Sequence, residues 1–528
     1  MKNLKYYLLA CWLLIGFALH AQDEKAESLA GLRMAVIGDS YVRNHKEPVE
    51  NTWHYKFAKK HNMEYFNFGR NGNCIAMDRA RFGEAMYTRY AAMPDAMDYV
   101  VIIAGHNDAG KLDSIGGIGV FKERMAILCE GLTKKYPTAK IFVLTRWICK
   151  DFYGSDSQKV VDAMIEVCHA HNIPIFDCAR NSGILADNAA FRQRYFQGPN
   201  DTAHLNAEGH DLFLKSAEEF LLNPASQTQA DICVAKYKDN KMGAVSYTFD
   251  DGLAEHYTLV LPQFEKRNFK GTFWINGSKI NEDQAHIADT TRMTWGQIKE
   301  MSDKGHEMSN HGWAHKNFGR FPLDEIKEDV LKNDSALFKH TGRMPRTFCY
   351  ANNTKTPEGV EFVSRNRVGT RTFQRAIGSK STPEDLEAWT YALIVNKDWG
   401  VGMTHGMTYG YDAFVDPQRF WDHLDRAKAL EDFIWIDTFE KIVAYNKERE
   451  ELKLTIEEGA HTITVTPSLG LDKNLFTQPL TMVLNKAGVR EWTVTQKGKP
   501  LQTHTQQDKT LFDFDPYGGA ITLSPTYK

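Results

Sequence analysis

A change in hydrophobic period along the chain limits its fold more than any other feature. Met34–Ile37, Tyr99–Ile103, Lys140–Leu144 and Ile173–Phe176 are short apolar runs rich in β-branched residues. Helical stretches such as Val120–Tyr136 and Gln158–His171 separate them. Strands that alternate with helices predict a parallel sheet covered on both faces. After Leu222 the run Asn223-Pro-Ala-Ser-Gln-Thr-Gln229 is polar and breaker-rich, which places a linker over 223–241. A second α/β region then opens at Met242, with strands at Ala244–Phe249 and Gly271–Ile275, a strand-like Arg346–Tyr350 and a closing helix near Thr438–Glu448. From about Leu452 the period drops to two, in Leu454–Ile456, Thr462–Val465, Leu480–Leu484 and Trp492–Val494. The expected organisation is an α/β domain over 30–222, a second over 242–450 and a small all-β module over 451–528. A chain of 528 residues exceeds one hydrophobic core, in keeping with that division.

The first residues read as a targeting segment. A short basic start, Met1-Lys2-Asn3-Leu4-Lys5, precedes the apolar run Tyr6–Leu19, and His20-Ala21 offers a cleavage site. Residues 1–21 are therefore expected to be a signal peptide, with the mature protein exported to the periplasm or secreted. No segment is expected to span a membrane. A formal net charge of −3 gives no reason to expect nucleic acid as a partner. Of the 8 cysteines, those after Cys11 follow no zinc or redox spacing and are expected mostly as buried thiols. The aromatics of the β module, Trp492, Phe476, Phe512, Phe514 and Tyr517, are expected in its core, so that the module braces the second domain rather than offering a sugar platform.

Four blocks in the first region carry chemistry: Gly38-Asp39-Ser40, Gly72, Gly105-His106-Asn107-Asp108 and Asp201-Thr-Ala-His204. A serine hydroxyl needs a neighbouring base, and that base needs an orienting partner. One loop or helical turn can deliver both Asp201 and His204. The oxygen that gains charge during acyl transfer needs donors placed in advance. The Asn107 amide and the backbone N–H groups of Gly72 and Ser40 can provide them. Each block alone is often only a turn, but their order and spacing together resemble the SGNH (GDSL-type) hydrolase superfamily. That resemblance implies a flavodoxin-like three-layer domain with Ser40 as nucleophile, His204 as base and Asp201 orienting it. Asn107 and Gly72 would be the oxyanion donors, with Gly69 an alternative to Gly72, and no cofactor is implied. Tyr41 and His106 replace commoner family residues and are expected to alter pocket shape. Family members include acetylesterases that act on plant polysaccharides and sialic acids.

The second region ends an apolar strand in Phe249-Asp250-Asp251-Gly252 and later carries His311-Gly-Trp-Ala-His315 and Thr404-His405-Gly406. On a helix, His311 and His315 would share a face, although Gly312 argues against a helix there. With one carboxylate they make a two-His, one-carboxylate set for a divalent metal. The other carboxylate is then free to act as a base toward water that the metal acidifies. These motifs resemble the polysaccharide deacetylase family (NodB homology, carbohydrate esterase family 4). The resemblance implies a distorted (β/α) barrel in which Asp250 is the base, Asp251, His311 and His315 bind a metal, usually zinc, and His405 is a general acid. One departure stands out. Cys349 falls where the family's third motif carries an arginine that tethers the catalytic aspartate. Arg371 is a candidate to supply that charge from another loop, and Asp398-Trp399 a candidate to orient His405.

The resulting expectation is an exported bimodular deacylase of acetylated polysaccharide or oligosaccharide. Its alternatives are a glycan-binding scaffold with one decayed hydrolase domain, or an esterase for non-carbohydrate acyl esters.

Overall fold

The computed structural model describes residues 28–227, 230–283, 288–459, 461–486 and 489–527. The expected signal peptide lies outside them. The chain divides after Gln227 into two compact units.

In the first unit β1 (Arg33–Gly38), β2 (Glu64–Gly69), β3 (Tyr99–Ile103), β4 (Lys140–Leu144) and β5 (Ile175–Phe176) form a parallel sheet in the order β2-β1-β3-β4-β5. Every residue of β3 is buried, as a strand covered on both faces must be. One face packs Val100 and Ile102 against Phe121, Leu128, Val160 and Met164 of the helices Ile118–Lys135 and Asp156–Ala170. On the other, Phe142 and Phe176 meet Phe213 and Phe220 of the helix Ala207–Leu222. This is the expected three-layer, flavodoxin-like arrangement. The strand order reverses beside β1, so the carboxyl ends of β1 and β3 open onto a crevice.

In the second unit β6 (Ile232–Val234) comes first and is followed by eight strands. They are β7 (Gly243–Asp250), β8 (Thr272–Ile275), β9 (Glu307–Asn310), β10 (Thr347–Cys349), β11 (Gly369–Arg371), β12 (Arg375–Ala376), β13 (Trp399–Thr404) and β14 (Ile434–Ile436). These eight make one parallel sheet, β11-β10-β9-β8-β7-β13-β12, with β14 also paired to β7. It curls into a half-barrel around β7, whose eight residues are all buried. β9 and β13 do not read as strands in the sequence, for different reasons. Glu307, Ser309 and Asn310 are polar but buried, satisfied by hydrogen bonds such as Thr272 Oγ1 to Glu307 Oε2 at 2.8 Å. In β13 a Cβ at Gly400 would meet Trp389 at 2.5 Å, so glycine there admits a helix against the strand.

The carboxyl-terminal residues form two antiparallel sheets. One contains β15 (Lys453–Glu458), β16 (Ile463–Ser468), β22 (Ile521–Tyr527), β18 (Val489–Gln496) and β19 (Lys499–Pro500); the other contains β20 (Thr503–Gln506), β21 (Lys509–Phe514), β17 (Leu480–Leu484) and β6. The stretch 223–241, expected as a linker, thus supplies an edge strand, Met482 pairing with Val234. The module also shares one core with the half-barrel, where Trp492, Met482, Phe512 and Phe514 pack together with Ile442, Tyr445 and Trp435. Trp492, Phe476, Phe512 and Phe514 are buried as expected, whereas Tyr517 is only half-buried, its hydroxyl donating to the Leu471 carbonyl at 3.1 Å; Tyr445 donates to the Ala235 carbonyl at 3.0 Å.

Candidate active sites

The first site grows from the ends of β1 and β3. Asp39 caps the short helix Ser40–Arg43 by accepting from the Tyr41 N–H at 2.9 Å, which lifts Ser40 off the end of the strand. Asp201 accepts from the backbone N–H of Ala203 and His204 at 2.8 and 2.9 Å, so one carboxylate both folds the loop and meets the His204 ring. Its Oδ2 lies 2.8 Å from Nδ1 of His204, and Nε2 of His204 lies 2.8 Å from Ser40 Oγ. The structure therefore brings Ser40, His204 and Asp201 into one hydrogen-bonded chain. Burial would raise the Asp201 carboxyl, but the bonds from His204 and Ala203 outweigh it and hold it at about 2.

Asn107 is the second residue of the helix His106–Ala109, entered through Gly105 at φ 99°, and gives one amide hydrogen to Asp39 Oδ2 at 3.0 Å. The second amide hydrogen has no partner among the described residues. Gly72 sits at φ 69°, where a Cβ would strike the Phe82 ring at 2.7 Å. Its N–H has no partner among the described residues, whereas the N–H of Gly69 is taken by Asn67 Oδ1 at 2.9 Å. Of the two glycines, Gly72 has the free donor. Tyr41 leans on His106, Trp147 and His204, with ring centroids 5.7, 5.6 and 6.2 Å away.

Three residues at this site were not given a role from the sequence. Asp108 accepts from Ile75 and Ala76 N–H, both at 3.0 Å, tying the Asn107 helix to the loop beyond Gly72. Arg89 is buried and donates at 2.8 Å to the carbonyls of Gly38 and Phe68 and to Asn73 Oδ1, which clamps the ends of β1 and β2 to that same loop. His45, at φ 48°, stacks on His204 with centroids 4.2 Å apart and rings 12° from parallel. No local pattern marks any of the three, because each acts across a long sequence separation.

The second site lies at the carboxyl end of β7. Asp250 ends the strand, and Asp251 takes φ 78°, held by its N–H to the Trp274 carbonyl at 3.0 Å and by Arg292 Nη1 on its own carbonyl at 2.6 Å. This kink turns two adjacent carboxylates to different duties. His311 and His315 lie in a loop, not a helix. Asp329 shapes the loop by accepting from Ala314 N–H at 2.7 Å, and a Cβ at Gly312 would meet its Oδ2 at 2.5 Å. Nε2 of His311 and of His315 approach Asp251 Oδ1 at 3.7 and 3.8 Å. His311 Nδ1 donates to the Cys349 carbonyl at 2.9 Å, which leaves its Nε2 lone pair directed at the group. Asp251, His311 and His315 can hold a metal ion, their ligand atoms lying within 4.8 Å of one another. Asp250, His311 and Cys349 are equally close, but both oxygens of Asp250 are already engaged.

That engagement accounts for the missing arginine. Arg371 grips Asp250 with two bonds, Nη1 to Oδ1 at 2.7 Å and Nη2 to Oδ2 at 2.6 Å, and adds Thr248 Oγ1 at 2.9 Å. Arg371 pairs in register with Cys349 on the neighbouring strand. The guanidinium thus reaches Asp250 from the strand beside the one that carries Cys349. Burial would raise Asp250, yet Arg371 holds it at about 2.

His405 follows β13, its carbonyl accepting from His256 Nε2 at 2.5 Å and its ring edge-on to Tyr411 at 5.2 Å. Buried Glu255 fixes the following turn through Met407 N–H at 2.6 Å. The expected orienters fail here. Asp398 and His405 flank opposite ends of the six-residue β13, on the order of 20 Å apart for an extended strand, and Trp399 donates instead to Ser246 Oγ at 3.2 Å. The cysteines after Cys11 are all free, most of them buried. Among the described residues, no helix is long and apolar enough to cross a membrane.

The folds and their two sites define a pair of hydrolase domains. Residues 36–212 match the family described as GDSL-like Lipase/Acylhydrolase, and residues 237–365 match Polysaccharide deacetylase; the chain carries one domain of each family. Among curated relatives, the peptidoglycan-N-acetylglucosamine deacetylase PgdA of Listeria monocytogenes is 29% identical over 177 residues, covering 33% of this chain and 32% of that protein. The peptidoglycan-N-acetylmuramic acid deacetylase PdaA of Bacillus subtilis is 25% identical over 228 residues, 40% of this chain and 74% of its own length. The chain thus spans about a third of the first of these relatives and about three quarters of the second. Among solved structures, a family 4 acetyl xylan esterase from Clostridium thermocellum in complex with a cobalt ion is 21% identical. The match covers 38% of this chain and 89% of that one, with a TM-score of 0.29.

Proposed function

We propose that this chain is an exported deacylase of acetylated glycans that combines two chemistries. Peptidoglycan-like polysaccharide is the favoured substrate class, following what the deacetylase relatives are named for. In the first domain Ser40 attacks the ester carbonyl while His204 takes its proton and returns it to the leaving alcohol. Asp201 orients the ring, and Asn107 with the Gly72 and Ser40 N–H groups receives the oxyanion.

In the second domain Asp251, His311 and His315 would hold a divalent metal, zinc by the family's habit. When bound, the metal would polarise the acyl carbonyl and acidify water. Asp250, kept ionised by Arg371, accepts the proton. His405 donates one to the departing amine or alcohol. The observation that carries the reading is the Arg371–Asp250 pair, since it restores the tether that the Cys349 position lacks. A scaffold with one decayed domain would have no need of a relocated arginine.

The test is acetate release from O-acetylated and N-acetylated glycans by wild type, Ser40→Ala and Asp250→Asn. Ser40→Ala should lose ester cleavage, and Asp250→Asn the other activity. A chelator should abolish only what survives Ser40→Ala. If both variants match wild type on every substrate, the two-site reading is wrong.

A further inference from the structure

Beside the Ser40 hydroxyl the first domain gathers the same donor types that the second domain offers a metal. His45, Asp201 and His204 each present one ligand atom, and these atoms lie within 4.8 Å of one another. Two imidazoles and a carboxylate suit zinc and its transition-metal neighbours far better than magnesium or calcium. All three residues are partly exposed, so an ion can reach them from solvent.

Acyl transfer uses Asp201 and His204 but has no use for His45. The chain nevertheless holds that residue in a costly backbone conformation, with Asn44 at φ 67° and His45 at φ 48° in succession. Asn44 Nδ2 donates to the Pro48 carbonyl at 2.6 Å, and its Oδ1 accepts from Gln197 Nε2 at 3.1 Å. Asn71 Nδ2 donates to the His45 carbonyl at 3.2 Å. A backbone fixed on both sides thus lays the His45 ring on His204, at 4.2 Å between centroids. That ring makes no hydrogen bond among the described residues. Burial and the neighbouring His204 lower its pKa, which keeps a lone pair free at ordinary pH.

Coordination here has a geometric cost. Rings 12° from parallel aim their lone pairs side by side, so they must splay to meet at one ion. His45 is the ring that can turn, because His204 is tied to Ser40 and Asp201. In the second site His311 is aimed in advance by its bond to the Cys349 carbonyl. Lacking such an outer partner weakens metal binding by about 10- to 100-fold, so the first-domain set fills after the second. Both nitrogens of His204 are engaged, Nε2 with Ser40 and Nδ1 with Asp201. An ion that takes either one removes the base or its orientation.

We infer that His45, Asp201 and His204 form an inhibitory site for a divalent transition-metal ion, so that an excess of the ion that suits the second domain shuts the first. The inference rests on the esterase reading of Ser40 and adds a regulator to it.

The experiment follows turnover of para-nitrophenyl acetate by the full chain as zinc is added back to metal-stripped protein. Asp250→Asn serves as the parent, so that the second domain contributes no turnover. Zinc in excess of the second site should lower the rate by about tenfold or more, magnesium should leave it unchanged, and a chelator should restore it. Adding His45→Phe keeps an aromatic ring against His204 but removes a ligand. The zinc concentration that halves the rate, taken against that variant's own metal-free rate, should then rise by about tenfold or more. A parent rate that stays within about twofold at about 1 mM zinc would overturn the site, as would a His45→Phe chain inhibited as strongly as its parent. A second measurement needs no His45 variant: zinc should slow the labelling of Ser40 by a fluorophosphonate in wild type, and labelling at an unchanged rate also overturns the site. Failure of the esterase reading looks different, because wild type would then take no fluorophosphonate at Ser40 and Ser40→Ala would keep its ester turnover.

Discussion

Asp201 and Asp250 are both held at about 2, by partners of opposite character. Asp201 leans on an imidazole, with its side chain 21% exposed, whereas Asp250 is locked to a guanidinium and is 5% exposed. The roles proposed for them explain the difference. In the first domain the carboxylate orients a group that must gain and lose a proton, so its partner has to titrate. In the second the carboxylate is itself the proton acceptor, and its partner must keep its charge through the whole cycle. A permanent cation serves the second purpose and would defeat the first.

The largest expected effect comes from breaking each chain at its reactive atom. Ser40→Ala should lower ester hydrolysis by about 10³-fold or more while release from N-acetylated substrate is unchanged. Ester turnover within a few-fold of wild type would remove the first domain from the contrast.

Next is Arg371→Met, which leaves Asp250 buried and alone. Removing one partner of a buried pair costs about 3–5 kcal/mol, so the second unit should melt lower and deacetylation should fall. Bound metal should persist, since Asp251, His311 and His315 are untouched. Adding Asp250→Asn to this variant should recover the melting temperature without recovering activity. Recovery of neither would show that the arginine holds more than the aspartate.

Residues that act where the chain is local were legible in the sequence. Ser40, Asn107 and Asp250 each follow an apolar strand, and ligands meet open α/β sheets at strand ends. Asp201 and His204 are close in sequence and share one loop. The Arg371–Asp250 pair was visible only as a stray arginine, because its register opposite Cys349 depends on strands pairing across a long separation. Arg89, Asp108 and Asp329 gave no signal of their role, since each satisfies distant backbone groups. β6 was hidden for a related reason: three residues beside a polar stretch become a strand only when β17 is there to pair with them. Asp398 misled because nearness in sequence along an extended strand means distance in space.

A smaller effect concerns Arg89, which holds the loop of Gly72 without touching the reacting atoms. Arg89→Lys keeps a charge but cannot reach all three acceptors. It should lower kcat for ester cleavage by about tenfold with KM little changed, as expected when an oxyanion donor is loosened rather than removed. A change confined to KM would place Arg89 outside that role.

The smallest effect is one of pH, and it separates two kinds of buried carboxylate. Asp201 and Asp250 have folded values below their unfolded ones, so they stabilise the chain above about pH 4 and lose that contribution as pH falls through about 2. Asp39 behaves in the opposite way. Burial is the main cause of its rise to about 7, with Asp108 adding to it, so it stays protonated in the folded chain where the unfolded chain has already ionised. Stability from this residue therefore declines as pH rises from about 4 to about 7. Asp39→Asn keeps an oxygen for the Tyr41 N–H, turns an NH2 group toward the Asn107 amide in place of the second oxygen, and has no proton to lose. Compared with wild type, its melting temperature should improve steadily across that range and level off above it. A difference between the two that stays constant with pH would mean that Asp39 is already ionised in the folded chain, with Asn107 and Tyr41 sufficient to hold the charge.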